Sequence, residues 1–291
     1  MDQTIPPTLP LVTTVADLRE TVGGWKKQGL TVGFVPTMGA LHEGHLTLVR
    51  EAGQQADRVV ASVFVNPTQF AAHEDLGSYP RQEARDAELL AGAGCHLMFA
   101  PTTGDMYPEG FSTGVSVGGP SEGLETDFRP HFFGGVAVVV AKLLNQVQAD
   151  VAVFGEKDYQ QLMVVRRMVR DLDIPTRIVG APTQRDGYGL ALSSRNAYLS
   201  ADEIEVARRL NGILALAAAD ATAGASVAEI EAQAARSLLE AGFAKVDYVA
   251  IRQADSLATF DADRVDQPGR ILAAAWLGKT RLIDNMAVPA G

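Results

Sequence analysis

From Thr31 to Pro182 the chain repeats one alternation: a short β-branched apolar run, then a longer segment with apolar residues at helical spacing. No other feature constrains the fold as strongly, because strands separated by helices join as parallel neighbours through crossover connections. "TVGFVPT" precedes Gly44 to Asp57, where Leu46, Val49, Ala52 and Ala56 share one helical face. "RVVASVFV", Arg58 to Val65, is almost continuously apolar, as a strand buried on both faces must be. A helix expected over Arg81 to Gly94 follows. "CHLMFAP", a helix over Gly134 to Val147, the strand Asp150 to Phe154, a helix over Tyr159 to Leu172 and "TRIVGAP" continue the series. The expected fold is α/β, a Rossmann-like doubly wound parallel sheet, and ligands in such sheets bind at the carboxyl ends of strands.

The texture changes after Gln184. "QRDGYGLALSSRNAYLS" is a polar connection, followed by two alanine-rich helices, Ala201 to Asp220 and Ser226 to Ala241, and then by "KVDYVAIR" and "RILAAAWLG". This divides the chain into a Rossmann-like domain over residues 1–183 and a smaller C-terminal α+β domain over residues 184–291. Gly114 to Gly123, "GVSVGGPSEG", reads as a mobile surface loop or short edge segment, and the first ten residues as a loose tail.

With 291 residues, 47% of them hydrophobic, the chain can bury a sizeable core. No apolar run approaches the roughly 20 residues that span a bilayer, and "MDQTIPPTLPLVTTV" lacks the basic start and cleavage site of a signal peptide. A soluble, non-exported, cytoplasmic chain with no membrane partner is expected. Cys95, the only cysteine, excludes an internal disulfide and a thiolate-rich zinc site. The formal charge of -10 argues against nucleic acid, whose sequence-independent affinity needs clustered Lys and Arg. An anion must then be handled locally.

One place to do so is "PTMGALHEGHLTLV", Pro36 to Val49, where His42 and His45 stand at the start of a helical pattern directly after a strand. Zinc is one reading, but a protease H-E-x-x-H spaces its histidines by four, whereas these are three apart with Gly44 between them. His73, His96 and His131 offer no paired spacing for a third ligand, and no metal site is assigned. A second reading is two hydrogen-bonded histidines in a turn. In a third, the free N–H groups and partial positive charge of a helix N-terminus hold phosphate, and imidazoles beside it donate to an α-phosphate during nucleotidyl transfer.

Further segments favour the third reading. "HEGH", "VFVNPTQF" (Val63 to Phe70), "YPR" (Tyr79 to Arg81), "MYPEG" (Met106 to Gly110), "FGEKDYQQ" (Phe154 to Gln161) and "LSSRN" (Leu192 to Asn196) follow in order over about residues 31 to 200. The set resembles the pantoate–β-alanine ligase family of the class I aminoacyl-tRNA synthetase-like nucleotidyltransferases. The resemblance implies ATP-dependent joining of (R)-pantoate to β-alanine through a pantoyl adenylate, with AMP and pyrophosphate as coproducts, Mg2+ carried with the triphosphate, and a homodimer. Its implied ATP contacts are Met38, Gly39, Ala40, Leu41, His42, Glu43, Gly44 and His45, then Gly155, Glu156, Lys157 and Asp158, then Gln184, Leu192, Ser193, Ser194 and Arg195. Among them His45, His42 and Lys157 are implied to be catalytic, with His45 the proton donor. Gln69 and Gln161 are implied to hold pantoate, Gln69 also reaching β-alanine, with Asn66 and Asp86 as further positioning candidates. The C-terminal domain is implied to act as a lid, bringing Ser193 to Arg195 over the triphosphate.

The chain departs from the family pattern twice. "RPHFFGGV" puts Phe132 where a histidine is expected, with His131 one place earlier, and Tyr188 stands where an aspartate is usual before "GLA". Two rival functions remain open. One is an adenylyltransferase with a phosphorylated acceptor, which would lack "FVNPTQF" and "GEKDYQQ"; the other is a non-catalytic nucleotide or tRNA binder, against which the charge and the retained His42, His45, Lys157 and Arg195 speak.

Overall fold

The computed structural model describes residues 9–70, 77 and 82–290. "YPR" and His73 lie outside them. The described residues form two compact units. The first contains the described residues up to Val117, with His131–Gly155 and Val164–Ala181; the second contains Gly118–Pro130, Glu156–Met163 and the described residues from Pro182 on. The sequence-based division at residue 184 gives Gly118–Pro130 and Glu156–Met163 to the first domain, whereas in the structure both group with the second unit.

In the first unit β1 (Leu11–Val12), β2 (Val32–Thr37), β3 (Arg58–Val63), β4 (Leu97–Phe99), β5 (Val151–Gly155) and β6 (Arg177–Ala181) form one parallel sheet in the order β1-β4-β3-β2-β5-β6. The middle strands are buried on both faces: Val32, Phe34, Val35, Val59, Val60 and Ala61 are all 0% exposed. Helices α1 (Val15–Lys27), α2 (Glu43–Gln55), α3 (Glu83–Gly92) and α4 (Thr103–Met106) occur in the first half of the unit. Leu46, Val49 and Ala52 of α2 pack with Leu90 of α3 over Val35, Val59 and Met98, as the apolar spacing predicts. The end of α2 falls short of the expected Asp57 because that carboxylate instead accepts the backbone N–H of Thr31 at 2.9 Å and its hydroxyl at 2.7 Å. Cys95 is buried, and burial pushes its thiol up to about 11, so it is no nucleophile.

Past α5 (Glu125–Phe128), helix α6 (Phe132–Val147) is buried on nearly every side. Helix α7 (Tyr159–Asp171) joins β5 to β6. Between β2 and β5 the strand order reverses, so the carboxyl ends of these strands, Thr37 and Gly155, flank the crevice where sheets of this kind bind ligands.

The second unit is built on an antiparallel sheet of β7 (Lys245–Gln253), β8 (Gly269–Leu277) and β9 (Thr280–Val288). Helices α8 (Ala201–Ala207), α9 (Arg209–Thr222) and α10 (Val227–Glu240) supply Leu210, Leu214, Ile230 and Leu238 to its core. The single helix expected over Ala201 to Asp220 is thus two, interrupted at Arg208, whose guanidinium pairs with Asp186 at 3.0 Å. Within Gly114 to Gly123, the end of the segment is hydrogen-bonded. Gln160, buried in the first turn of α7, donates to Pro120 O at 3.0 Å and Gly123 O at 3.2 Å, and accepts the N–H of Glu125 at 3.1 Å.

Candidate active site

The loop after β2 is built around one buried carboxylate. Thr37 Oγ1 donates to Ser62 O at 2.7 Å, and the chain then turns through two residues of positive φ, Gly39 at 85° and Ala40 at 51°. A left-handed alanine is disfavoured by about 1 kcal/mol. Asp86 of α3, 1% exposed, holds it there by accepting Ala40 N at 3.0 Å and Leu41 N at 2.9 Å. A Cβ at Gly39 would lie 2.9 Å from Asp86 Oδ2 and 3.1 Å from Val63 Cγ1, so glycine is required by space as well as by φ.

The loop delivers His42 as the N-cap of α2. His42 Nδ1 accepts Gly44 N at 3.1 Å, while His45 Nδ1 accepts the backbone N–H of His42 at 3.4 Å, and the two ring centroids are 4.1 Å apart. This is a capping box made of imidazoles instead of Ser and Glu. Because each Nδ1 accepts, the neutral ring must carry its proton on Nε2. The turn reading and the phosphate reading of the histidines are therefore compatible: one nitrogen of each ring holds the helix start, and that use does not occupy the other. Glu43, at the first position of α2, pairs with Arg50 on the exposed side of the helix.

Met38 and Gln69 meet beside this loop, Gln69 Nε2 donating toward Met38 Sδ at 3.0 Å. Asn66 anchors the glutamine. Buried to 1% exposure, it donates to Gln69 Oε1 at 3.1 Å and Gly135 O at 3.2 Å, and accepts from Tyr107 OH at 2.8 Å and Thr68 Oγ1 at 3.0 Å. Tyr107, whose pKa is raised by burial against the opposing Thr68 bond, gives "MYPEG" a purpose the sequence reading did not assign. Gly135 of α6 was missed as well. A Cβ there would run into Thr68 O and sit 2.8 Å from Gln69 N, so the helix backbone rests directly on the turn carrying Gln69.

In the second unit Glu156–Asp158 forms a 3-10 turn directly after β5, with Lys157 half-buried and its Nζ 3.8 Å from Asp158 Oδ1. Gln161 is half-buried in the first turn of α7. The second loop closes on itself. Leu192 N donates to Gln184 O at 2.9 Å, Arg185 bridges Ala191, and Ser193 Oγ accepts Arg195 N at 3.3 Å as the cap of the turn Ser194–Tyr198. Ser193 thus caps a turn whatever else it does. Arg185, Arg270, Asp284 and Asn285, behind these two segments, were not singled out because nothing in their local pattern marks them.

At the departures, Phe132 begins α6 with its ring 5.0 Å from that of Phe133, and His131 is exposed. Tyr188 is 73% exposed with Arg208 stacked over its ring at 4.0 Å, while Asp186 accepts the N–H of Tyr188 and Leu190, each at 2.9 Å. Among the described residues no group of three or more His, Cys, Asp or Glu could hold a metal ion, and no helix is long and apolar enough to cross a membrane.

Known proteins resemble the chain over nearly its full length. The sequence model of the family described as Pantoate-beta-alanine ligase matches residues 10–287. The pantothenate synthetases of Mesorhizobium japonicum and Caulobacter vibrioides are 61% and 62% identical to it, each over 96% of this chain and 98% of the relative. A crystal structure of pantothenate synthetase from Thermus thermophilus superposes with a TM-score of 0.87 at 47% identity, covering 97% of this chain and 100% of the other. The Francisella tularensis pantoate-beta-alanine ligase, solved complexed with beta-gamma ATP and beta-alanine, gives 0.80 at 33% identity over 97% and 99%. A profile that takes in all six strands of the parallel sheet, together with relatives identical at more than half their positions, puts this chain in the pantoate–β-alanine ligase family.

Proposed function

We propose that the protein condenses (R)-pantoate with β-alanine, consuming ATP and releasing AMP and pyrophosphate by way of a pantoyl adenylate. The observation that carries this reading is the imidazole capping box at the switch point of the sheet, which turns two Nε2–H groups into preorganised donors beside a helix N-terminus. The ligands named for the Francisella structure support ATP and β-alanine as substrates.

In the first step a carboxylate oxygen of pantoate bonds to the α-phosphorus and the bond to the bridging oxygen of pyrophosphate breaks. Charge grows on the equatorial oxygens and on the leaving group, where donors stabilise the transition state more than the bound substrate. His45 Nε2, and beside it His42 Nε2, are assigned to those oxygens; Met38 to Leu41, Glu43 and Gly44 border the nucleotide. Lys157 supplies a point charge to the phosphates and Asp158 orients it, with Gly155 and Glu156 carrying the turn. Gln184 and Leu192 with Ser193, Ser194 and Arg195 form the second nucleotide loop.

Gln69 and Gln161 orient the acid. A neutral amide holds a carboxylate without the countercharge that would blunt its attack. In the second step the amine of β-alanine attacks the acyl carbon, the bond to AMP breaks, and the nitrogen loses a proton as the amide forms. Mg2+ carried in with the triphosphate would supply charge neutralisation there, since among the described residues no group of three or more His, Cys, Asp or Glu could hold the ion itself. A cytoplasmic homodimer is the assembly the family resemblance implies, and sedimentation velocity measures it.

The test is isotope exchange. Labelled pyrophosphate should enter ATP with pantoate present and β-alanine absent, and oxygen-18 in the pantoate carboxylate should appear in AMP. Label in inorganic phosphate with ADP as coproduct would refute the adenylate. Turnover only with a phosphorylated acceptor would identify an adenylyltransferase instead.

A further inference from the structure

Strand β9 carries two adjacent buried polar residues, Asp284 and Asn285, each 3% exposed. Their hydrogen bonds go to the two segments assigned to the nucleotide. Asn285 Nδ2 donates to Glu156 O at 2.9 Å and Lys157 O at 2.8 Å, while its Oδ1 accepts Arg270 Nε at 2.6 Å. A guanidinium on one side and two carbonyls on the other permit only one orientation of the amide. Arg270 in turn reaches the Glu156 carboxylate at 3.2 Å and stacks over the Tyr159 ring at 4.1 Å. Asp284 takes Arg185 in a two-pronged pair at 2.7 and 2.8 Å, and Arg185 also donates to Gly189 O at 2.9 Å. Since Arg185 faces Ala191 across the narrow bridge, this clamp sits at the base of the loop that leads to Ser193 and Arg195.

We infer that Asn285 and Asp284 are positioning residues of the ligase reaction: Asn285 fixes the backbone that carries Lys157, and Asp284, through Arg185, fixes the loop that ends at Ser193 to Arg195. The inference rests on the assignment of Lys157 and Ser193 to Arg195 to the ATP phosphates. Its physical basis is the cost of the alternative. Apolar side chains would fill this part of the sheet without a desolvation penalty, and a satisfied polar network is what a fold uses to specify one geometry. A lysine on a flexible stem is only as well aimed as the backbone beneath it, and an error near 1 Å at a catalytic group can cost about 10²-fold in rate.

The experiment compares pantoate-dependent pyrophosphate–ATP exchange in the full-length protein, in Asn285→Asp, in Lys157→Ala and in the double variant. Asn285→Asp keeps volume but turns an oxygen toward the two carbonyls. It should lower the exchange kcat by a factor on the order of 10 to 10² and leave the pantoate KM unchanged. The double variant should lose no more than Lys157→Ala alone, since a residue acting through Lys157 has nothing left to act on. Amide hydrogen exchange across Glu156 to Gln161 should quicken in Asn285→Asp. Arg185→Lys, which replaces the two-pronged pair with a single bond, should raise the ATP KM with little change in thermal midpoint.

Losses that multiply in the double variant, or a folded Asn285→Asp with wild-type exchange kinetics, would overturn the inference. So would unchanged hydrogen exchange over Glu156 to Gln161, whatever the activity. Should Asn285→Asp not fold, Asn285→Ala and Arg185→Lys carry the same comparisons. Absence of exchange in the wild-type protein, with hydrogen exchange altered as expected, would instead refute the ligase reading and leave the positioning geometry standing.

Discussion

At the scale of single residues, each imidazole of "HEGH" uses one nitrogen at the helix start and has the other assigned to ATP in the proposed reaction, and substitution can divide the two. His42→Ala removes an N-cap, which should cost about 1 kcal/mol of stability, along with the distal donor. Asparagine caps well but cannot place a donor where Nε2 lies, so His42→Asn should recover the thermal midpoint and not the turnover. His45→Ala should lower kcat by a factor on the order of 10² to 10⁴ in a folded protein. Thermal unfolding and steady-state kinetics on the three variants check this, and normal turnover in His45→Ala would remove it from the chemistry. The pair stands out in one dimension as imidazoles at a strand-to-helix junction, but its spacing alone leaves a plain turn open, and the phosphate reading comes from the wider motif set. Asp86 was legible only as a second-line candidate, because its partners, Ala40 and Leu41, lie more than forty residues away.

At the scale of elements, periodicity placed the strands and main helices between Thr31 and Pro182 to within a few residues, but not β1, α1 or the short α4, and side-chain bonds decided where elements stopped. Asp57 ends its helix early by turning to Thr31; Gln160 fixes a glycine-rich stretch that local composition marks as loose. Neither bond has a local signature. Helix α6 illustrates the same limit: Gly135 looks like a helix-weakening glycine until the turn at Thr68 and Gln69 is seen against it. Gly135→Ala would raise the helix propensity by about 1 kcal/mol in isolation. Here the added carbon meets backbone, so the turn must move, taking Gln69 with it. The variant should be less stable than wild type and should raise the pantoate KM far more than the ATP KM. A pantoate KM within about twofold of wild type would show that the turn does not set the acid's position.

At the scale of the whole molecule, acid should act in two stages. His96 Nδ1 accepts Val59 N at 3.1 Å, and burial, helped by the charge of Arg58, lowers its pKa below the usual 6.5. The unfolded chain then binds more protons, so this contribution is complete above pH 6.5 and is lost as pH falls through the lower native value. Asp57, lowered by the backbone and hydroxyl of Thr31, and Asp263, lowered by Ser226 and the N–H of Ala228, add stability that is present above 3.8 and lost below it. Urea unfolding against pH should show a shallow loss below neutrality and a second loss in strong acid. His96→Asn, which keeps a non-titrating acceptor, should abolish the first alone.

Tertiary pairing also decides which segments belong together. Arg281 of β9 bonds Glu125 at 2.8 Å and Asp247 at 2.7 Å, and Tyr248 OH donates to Glu125 at 2.9 Å, tying Gly118–Pro130 to the C-terminal sheet. Arg281→Ala would remove the partner these two carboxylates share and leave Asp247 with Lys245 at 2.8 Å and Glu125 with Arg129 at 3.6 Å, so it should destabilise the protein. Limited proteolysis should then cut first within Gly118–Pro130; a segment as resistant as in wild type would deny it this anchor. The same bond has a consequence for how the protein is made. Glu125 and Arg281 are 156 residues apart. At a ribosomal pace of about 5–20 residues per second, the carboxylate waits roughly 8–30 seconds for its guanidinium to be synthesised. Throughout that interval Arg129, four residues on, is the cation at hand for Glu125 in its own segment, and the shorter pair with Arg281 forms only once the last strand emerges.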